Sequence, residues 1–293
     1  MDKLSFPTEV VIFEVGPRDG LQNQREFIPT DKKVELINKL VAAGCKKIEV
    51  TSFVNPKWVP QMRDAKEVCA RIERREGVVY SALIPNLKGL ELALEAGLQE
   101  VVTIISASES HNKKNVNRSI SQSLKEIEEI NRIASENNVR VRSYIATAFG
   151  CPIEGDVPEE KVIDIALALE ESGSYEISLG DTTGMANPIK AFELPKKLFK
   201  RLKHATLAVH YHQADGMEFA NILASLQAGV PVFDGAAGGL GGCPYAPGAT
   251  GNVATEILVE MFNRMGIKTG IDLNLIKECG RFAKSICNSC ITN

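Results

Sequence analysis

The sequence has no long apolar run and no excess of charge of one sign. No stretch of its 293 residues approaches the roughly 18 apolar residues that a membrane-spanning helix needs. The 34 Lys and Arg residues nearly balance the 37 Asp and Glu residues, for a net charge of -3. Nothing therefore indicates the basic surface by which proteins bind nucleic acid. We expect no membrane and no nucleic-acid partner, and instead a small-molecule ligand.

The sequence also lacks the cysteine pattern of a secreted protein. Its seven cysteines are odd in number and scattered, and residues 1–7 resemble neither a signal peptide nor an Arg-rich transit segment. Cys287 and Cys290 form a lone C-x-x-C without a second pair, which is a weak signal for zinc or redox chemistry. We expect free thiols and a cytoplasmic location.

The sequence does contain a repeated alternation of short β-branched runs and amphipathic helices. Helix-ending glycines, each just before a predicted strand, stand at Gly44, Gly97, Gly173 and Gly229. The predicted strands cover residues 10–15, 47–53, 78–84, 101–106, 139–149, 175–179, 206–212 and 230–234. Eight such units predict an α/β fold of the (β/α)₈ TIM-barrel type.

We expect a single domain over residues 1–293, with the barrel at about 8–266 and an additional C-terminal helix within about 267–293. An open doubly wound sheet is the structural alternative. That fold usually carries a G-x-G-x-x-G turn after its first strand, and Gly16-Pro-Arg-Asp-Gly20 is not one.

The candidate catalytic and metal-binding residues fall at the predicted C-terminal ends of the strands, where barrel enzymes place their active sites. These candidates come from strands one, two, six, seven and eight: Arg18, Asp19, Glu49, Asp181, His210, His212, Cys243 and Asn252. The last two lie in a glycine-rich segment, residues 238–252. Loops of this length are usually functional or disordered, so a flexible linker with an incidental cysteine is the alternative for that segment.

His210 and His212 are two residues apart on a predicted strand, so both imidazoles face the same side. Taken alone, the pair is as consistent with a hydrogen-bonded strand end as with a metal site. Asp19 adds a carboxylate and Asn252 an amide oxygen, a set that favours Mg²⁺ or Mn²⁺ over Zn²⁺ and Fe²⁺. Cys243 as a soft ligand would instead favour zinc.

Arg18 is permanently charged, so it can stabilise a developing oxyanion, or it can form a salt bridge with Glu49 or Asp181. Those two carboxylates are either its structural partners or acceptors of a substrate proton. A cysteine with a pKa of about 8.5 is protonated at neutral pH, so Cys243 can donate a proton to a carbanion. Together these residues indicate metal-assisted carbon–carbon cleavage.

A further candidate is His111, which begins the polar stretch 111–115 after the fourth predicted strand. Its two lysines place positive charge near the barrel mouth, where the phosphates of a bulky substrate could bind. A solvated loop is the alternative.

Three stretches resemble the hydroxymethylglutaryl-CoA lyase family of barrel metallolyases: residues 15–23 (VGPRDGLQN), 51–61 (TSFVNPKWVPQ) and 239–248 (GLGGCPYAPG). The likeness extends over almost the whole chain. The Arg-Asp turn and the His-x-His strand are shared with related Claisen-type synthases, whereas the cysteine segment is specific to the lyases.

The resemblance implies cleavage of (S)-3-hydroxy-3-methylglutaryl-CoA to acetyl-CoA and acetoacetate, a step of leucine degradation, by a homodimer or higher homo-oligomer. It implies that Mg²⁺ or Mn²⁺ is held by Asp19, His210, His212 and Asn252. Catalysis would involve Arg18, Cys243, Glu49 and Asp181, and the acyl-CoA would contact Arg18, Gln22 and His111.

One departure from the family pattern follows the second histidine. The family usually has Asp-Thr where this chain has Gln213 and Ala214, and we expect Asp215 to compensate. The departure leaves two alternatives: a lyase for another 3-hydroxy-3-alkylglutaryl-CoA, or a protein that binds acyl-CoA or metal with little turnover. A non-haem iron oxygenase is a further alternative, but the short-range signature of that class is absent.

Overall fold

The computed structural model describes residues 6–241 and 251–288. Within these ranges eight strands occur: β1 (Val11–Glu14), β2 (Lys47–Ser52), β3 (Val79–Leu83), β4 (Glu100–Ser106), β5 (Arg140–Ala146), β6 (Glu176–Asp181), β7 (Thr206–Tyr211) and β8 (Val232–Gly235). The helices of the same ranges are α1 (Thr30–Ala42), α2 (Ala65–Arg71), α3 (Leu87–Glu95), α4 (Glu109–Val116), α5 (Ile120–Glu136), α6 (Glu159–Ser172), α7 (Pro188–Phe199), α8 (Met217–Ala228), α9 (Thr255–Arg264) and α10 (Leu273–Asn288).

The strands form one closed parallel barrel in sequence order. Closure is made by β1 and β8, with Val11 opposite Val232 and Glu14 opposite Gly235. The additional C-terminal helix, α10, packs against α1 and against a short turn at Ala237–Gly239. The predicted TIM barrel with a C-terminal helix is therefore confirmed. None of the helices in the described part of the chain has the length and apolar character needed to cross a membrane.

The strands separate two cores because successive side chains point to opposite faces. Outward-facing residues such as Ile48, Val141 and Ile177 join the layer between strands and helices. Inward-facing residues such as Phe13 and Tyr144 fill the barrel itself. The barrel also holds buried charge, which turns out to support the site at its mouth.

The connection between β4 and β5 differs from the predicted loop and single helix. Ser108 accepts a hydrogen bond from the backbone of His111 and starts α4, which ends at Asn117 in the left-handed conformation with φ 55°. Ser119 then starts α5 with a capping box to Gln122. His111 therefore lies on a helix and not on a loop.

The turn after β1 is also more regular than its glycines and proline indicate. Residues Gly16–Gly20 form one wide helical turn in which the Val15 carbonyl accepts the backbone N–H groups of Arg18 and Asp19, at 3.1 and 2.7 Å. Such wide turns are frequent at functional sites. Here the turn brings two charged side chains to the barrel mouth.

Candidate active site

Glu14 holds the Arg18–Asp19 turn against the end of β8. Its Oε1 accepts the backbone N–H groups of Gly16 and Ala237, at 2.8 and 2.9 Å. A Cβ atom on Gly16 would lie 2.5 Å from that same oxygen, so a larger residue at this position would displace the Glu14 carboxylate. Burial raises the pKa of Glu14 to about 7 against the opposing effect of its hydrogen bonds.

Arg18 lies between two carboxylates. Its Nε donates to Glu49 Oε2 at 2.5 Å, and its Nη1 donates to Asp19 Oδ1. Burial disfavours the charged guanidinium, but Glu49 and Asp19 outweigh it and raise the pKa of Arg18. The salt bridge to Glu49 is thus present, and it holds a permanent positive charge beside Asp19.

Asp19, His210 and His212 converge on one point. One ligand atom from each lies within 4.8 Å of the other two. The two Nε2 atoms are 3.1 Å apart, about the separation of neighbouring ligands around a cation at roughly 2.1 Å in octahedral geometry. The structure thus brings together the three residues that the sequence predicts to share one site.

The charge states of this cluster suit a cation. Burial would raise the pKa of Asp19, but Arg18 and the two histidines lower it to about 2, so the carboxylate is ionised. Burial, with the charge of His210 second, lowers the pKa of His212 to about 4. A neutral imidazole beside a carboxylate is the form that binds a metal ion.

Asn252 lies against the cluster through an isolated bridge between its backbone and that of His212. Its Nδ2 donates to Asp19 Oδ2 at 2.7 Å and to the Leu240 carbonyl at 2.9 Å. These two acceptors set the orientation of the amide, because a reversed amide would place oxygen against oxygen. The Oδ1 atom is left buried without a hydrogen-bond partner among the described residues.

Unpartnered buried polar atoms are concentrated at this site. Among the described residues ten buried side-chain N or O atoms have no partner, and four of them belong to predicted site residues: Glu49 Oε1, Asp181 Oδ2, His212 Nδ1 and Asn252 Oδ1. Such atoms are costly unless a ligand, ion or water satisfies them. Together with the converging ligand atoms, they fit a divalent cation and a polar substrate.

Asp181 presents one oxygen to the protein and leaves the other free. Its Oδ1 accepts the backbone N–H groups of Met185 and Ala186, at 2.8 and 3.0 Å. Its Oδ2 is the unpartnered atom. Burial raises the pKa of Asp181 to about 6. A carboxylate in that range can accept a proton near neutral pH.

The predicted substrate-binding residues are placed differently from each other. Gln22 reaches the cluster, where its Nε2 donates to Asp19 Oδ1 at 3.1 Å. His111 on α4 is 3% exposed, and its Nδ1 lies 2.7 Å from Ser106 Oγ at the end of β4. Burial and then Lys114 lower the pKa of His111, so the ring is neutral rather than a cationic phosphate ligand.

Three residues that sequence reasoning missed support His210 from inside the barrel. Asp234 Oδ2 lies 3.1 Å from His210 Nδ1 and accepts the Tyr144 hydroxyl at 2.5 Å, while Arg142 Nη2 donates to Asp234 Oδ1 at 2.6 Å. A carboxylate behind a metal-binding histidine orients the ring. The available signal was Arg142 and Tyr144, two positions apart on β5, so that both side chains point to the same face of the strand.

The segment after His212 does not compensate as expected. Asp215 is exposed, in the left-handed conformation with φ 52°. The Ala214 backbone N–H donates to Glu218 at 2.9 Å. No carboxylate of the described chain bonds His212 Nδ1. Cys243 and Cys290 lie outside the described residues.

Residues 9–282 match the HMGL-like family. The chain belongs to the HMGL-like family. The resemblance drawn from the motifs of residues 15–23, 51–61 and 239–248 is thereby confirmed.

Two bacterial relatives are similar to this chain over nearly their whole length. Hydroxymethylglutaryl-CoA lyase YngG of Bacillus subtilis is 48% identical over 279 residues, covering 95% of this chain and 93% of that protein. A 3-hydroxy-3-isohexenylglutaryl-CoA/hydroxy-methylglutaryl-CoA lyase of Pseudomonas aeruginosa is 45% identical, covering 95% and 93%.

Solved structures of HMGL-like proteins share the fold. The crystal structure of the Bacillus subtilis HMG-CoA lyase has a TM-score of 0.94 and 47% identity, covering 97% of this chain and 95% of that one. An HMG-CoA lyase from Acinetobacter baumannii, in complex with coenzyme A and 3-methylmalate, has a TM-score of 0.92 and 40% identity, covering 97% and 93%.

Proposed function

We propose that this protein is a divalent-metal-dependent lyase that cleaves (S)-3-hydroxy-3-methylglutaryl-CoA to acetyl-CoA and acetoacetate. The observation that carries the proposal is the convergence of Asp19, His210 and His212 beside the buried charge of Arg18. The 48% identity to a Bacillus subtilis hydroxymethylglutaryl-CoA lyase supports the choice of substrate.

The metal would be held by Asp19, His210, His212 and the Oδ1 atom of Asn252. Nitrogen and oxygen donors without sulfur favour Mg²⁺ or Mn²⁺. A cation bound there supplies charge that polarises the oxygen atoms of the substrate.

Different side chains of the protein then carry out the separate steps of the reaction. Asp181 Oδ2 takes the proton of the substrate's tertiary hydroxyl. As the hydroxyl carbon becomes the ketone of acetoacetate, its bond to the carbon beside the thioester breaks and leaves the electron pair on acetyl-CoA. Arg18, held by Glu49 at 2.5 Å, stabilises the resulting negative oxygen. Cys243 donates its thiol proton to that carbon and is left as a thiolate, and the proton taken up by Asp181 returns to this thiolate through solvent before the next turnover.

Contacts of the acyl-CoA with Arg18, Gln22 and His111 belong to the same proposal. Gln22 and Arg18 both donate to Asp19, so they can position substrate oxygens beside it. The neutral, inward-facing ring of His111 fits a supporting position beneath the acyl-CoA binding surface. The lysines of α4 would supply the positive charge for the substrate's phosphates. We further propose a cytoplasmic homo-oligomer, which size-exclusion chromatography with light scattering would test.

The decisive experiment is a coupled assay of acetoacetate release by the purified protein with Mg²⁺ or Mn²⁺, beside a Cys243→Ala control. We expect metal-dependent release that the control lacks. A protein that binds metal and acyl-CoA but releases no acetoacetate would overturn the proposal and leave the alternative of binding with little turnover.

A second substrate of the same class is favoured by one observation. Gln213 and Ala214 replace the family's Asp-Thr directly after the ligand His212, and the Pseudomonas aeruginosa relative carries the name of a lyase for a longer 3-alkyl substrate. Comparing kcat/KM for the methyl and a longer alkyl substrate in the same assay distinguishes the two. A higher value for the longer substrate would replace the methyl compound as the proposed substrate.

A further inference from the structure

Gln213 lies where the two ends of the glycine-rich segment meet. Its side-chain Nε2 donates to the Asn252 carbonyl at 2.9 Å. Its backbone N–H donates to the Gly251 carbonyl at 2.8 Å. Gln213, in the connection between β7 and α8, therefore bonds both Gly251 and Asn252.

The two ends pack too closely for side chains. A Cβ atom on Gly251 would lie 2.6 Å from the Gly239 carbonyl oxygen and 2.8 Å from that of Gly241. A Cβ atom on Gly239 would lie 2.8 Å from Gln213 Nε2. The amide of Gln213 thus bonds one end of the segment at Asn252, and it lies so close to the other end that a side chain at residue 239 would meet it.

The contact matters because Asn252 continues into the metal cluster. The backbone of Asn252 is held by Gln213, and its side chain donates to Asp19 Oδ2 at 2.7 Å. We propose that Gln213 is a positioning residue that fixes Asn252 beside Asp19 and joins the two ends of the segment that carries Cys243. This inference rests on the proposed metal-dependent lyase.

The bond requires a side-chain donor of this length. An ionised Asp or Glu would place a negative oxygen against the Asn252 carbonyl oxygen and could donate nothing. Asp is also one methylene shorter. An ionised Asp at this position therefore cannot make the contact, so Gln213 holds Asn252 through a bond that the family's usual Asp does not supply.

The test compares Gln213→Glu, Gln213→Met and Gln213→Asp with the wild-type protein. Mn²⁺ affinity is measured by electron paramagnetic resonance on the metal-free full chain, and kcat and KM are measured with the loaded protein. Loss of a group that orients a metal ligand costs roughly 10–100-fold in metal affinity. We expect a loss in that range and a lower kcat for all three variants, with melting temperatures near that of the wild type.

Asp215→Asn is the matched control. Position 215 is two residues away, exposed, and left-handed in conformation, which Asn accepts, so its Mn²⁺ affinity should equal the wild type's. Gln213→Met has nearly the shape of the native residue without a charge, so it decides the matter if a carboxylate variant does not fold.

Unchanged Mn²⁺ affinity in Gln213→Met, or a gain in affinity or kcat in Gln213→Asp, would overturn the proposal. A wild-type protein that binds Mn²⁺ but releases no acetoacetate would refute the proposed function alone. The Mn²⁺ titrations would still decide the role of Gln213.

Discussion

Asp234 lies 3.1 Å behind the Nδ1 atom of His210, on the side of the ring away from His212. The contact ends a buried line of charges that begins near the opposite end of the barrel. Lys47 bonds Glu176 at 2.8 Å, Glu176 bonds Arg142 at 2.5 Å, and Arg142 bonds Asp234 at 2.6 Å. The barrel interior therefore sets the orientation of a candidate metal ligand at its mouth.

Replacing Asp234 with Asn should weaken metal binding and the fold together. Loss of an orienting carboxylate costs roughly 10–100-fold in metal affinity. Breaking a buried ion pair costs about 3–5 kcal/mol of unfolding free energy. Mn²⁺ titration and urea unfolding measure the two effects. Asp156→Asn, which removes an exposed partner of Lys190, is the control, and equal results for both variants would refute the prediction.

Asp181→Asn should separate chemistry from metal binding. The unpartnered Oδ2 atom is the proposed proton acceptor, and Asn cannot accept that proton. We expect kcat to fall about 10²–10⁴-fold, while Mn²⁺ affinity stays within a few-fold. Steady-state kinetics and Mn²⁺ titration measure both. Full turnover in the variant would remove Asp181 from the reaction.

Glu14 should make the stability of the protein depend on pH. Burial raises its pKa from 4.5 to about 7, so the folded protein retains a proton that the unfolded chain releases. This contribution is complete below about pH 4.5 and is lost as the pH rises through 7. The shift corresponds to about 3 kcal/mol.

The measurement is urea unfolding between pH 5 and 8 of the wild type and Glu14→Gln. A neutral amide can still accept from Gly16 and Ala237 through its oxygen and donate to Thr255 through its nitrogen. We expect the difference in unfolding free energy to shift in favour of the variant as the pH rises. A difference that is constant over this range would contradict the raised pKa.

Removal of divalent metal should abolish acetoacetate release and lower the melting temperature. A ligand that binds only the folded protein stabilises it by about 2.7 kcal/mol at 100 times its dissociation constant. Dialysis against a chelator, followed by return of Mg²⁺ or Mn²⁺, should restore both properties. An Asp19→Asn variant should show no thermal response to the metal, and a response equal to the wild type's would exclude Asp19 as a ligand.

Much of the site was predictable because barrel geometry gathers residues that are distant in sequence. Arg18 and Asp19 follow the first strand, and His210 and His212 end the seventh, so the fold alone brings them to one face. Glu49 was one of the two salt-bridge partners that the sequence offered for Arg18. In the structure Arg18 Nε bonds Glu49 at 2.5 Å, and the Oδ1 atom of Asp181 accepts the backbone N–H groups of Met185 and Ala186 instead.

Other contacts of the site could not be predicted from the spacing of residues in the sequence. Arg142 and Asp234 are far apart in sequence, and which inward-facing residues meet across a barrel depends on strand register. The role of Gln213 was likewise hidden, since the family pattern marks the residue as a departure. Its partner, the Asn252 carbonyl, is a backbone atom that no side-chain motif indicates.

The sequence by itself determined the repeated βα units, the closed barrel and the residue types at its mouth, because periodicity and helix-ending glycines are local properties. Only the tertiary structure decided which polar atoms are paired and which remain free. Hydrogen-bond partners and burial depend on how closely segments that are distant in sequence approach one another in the fold. Those distances leave Asn252 Oδ1 and Asp181 Oδ2 available and Asp19 Oδ1 shared between Arg18 and Gln22.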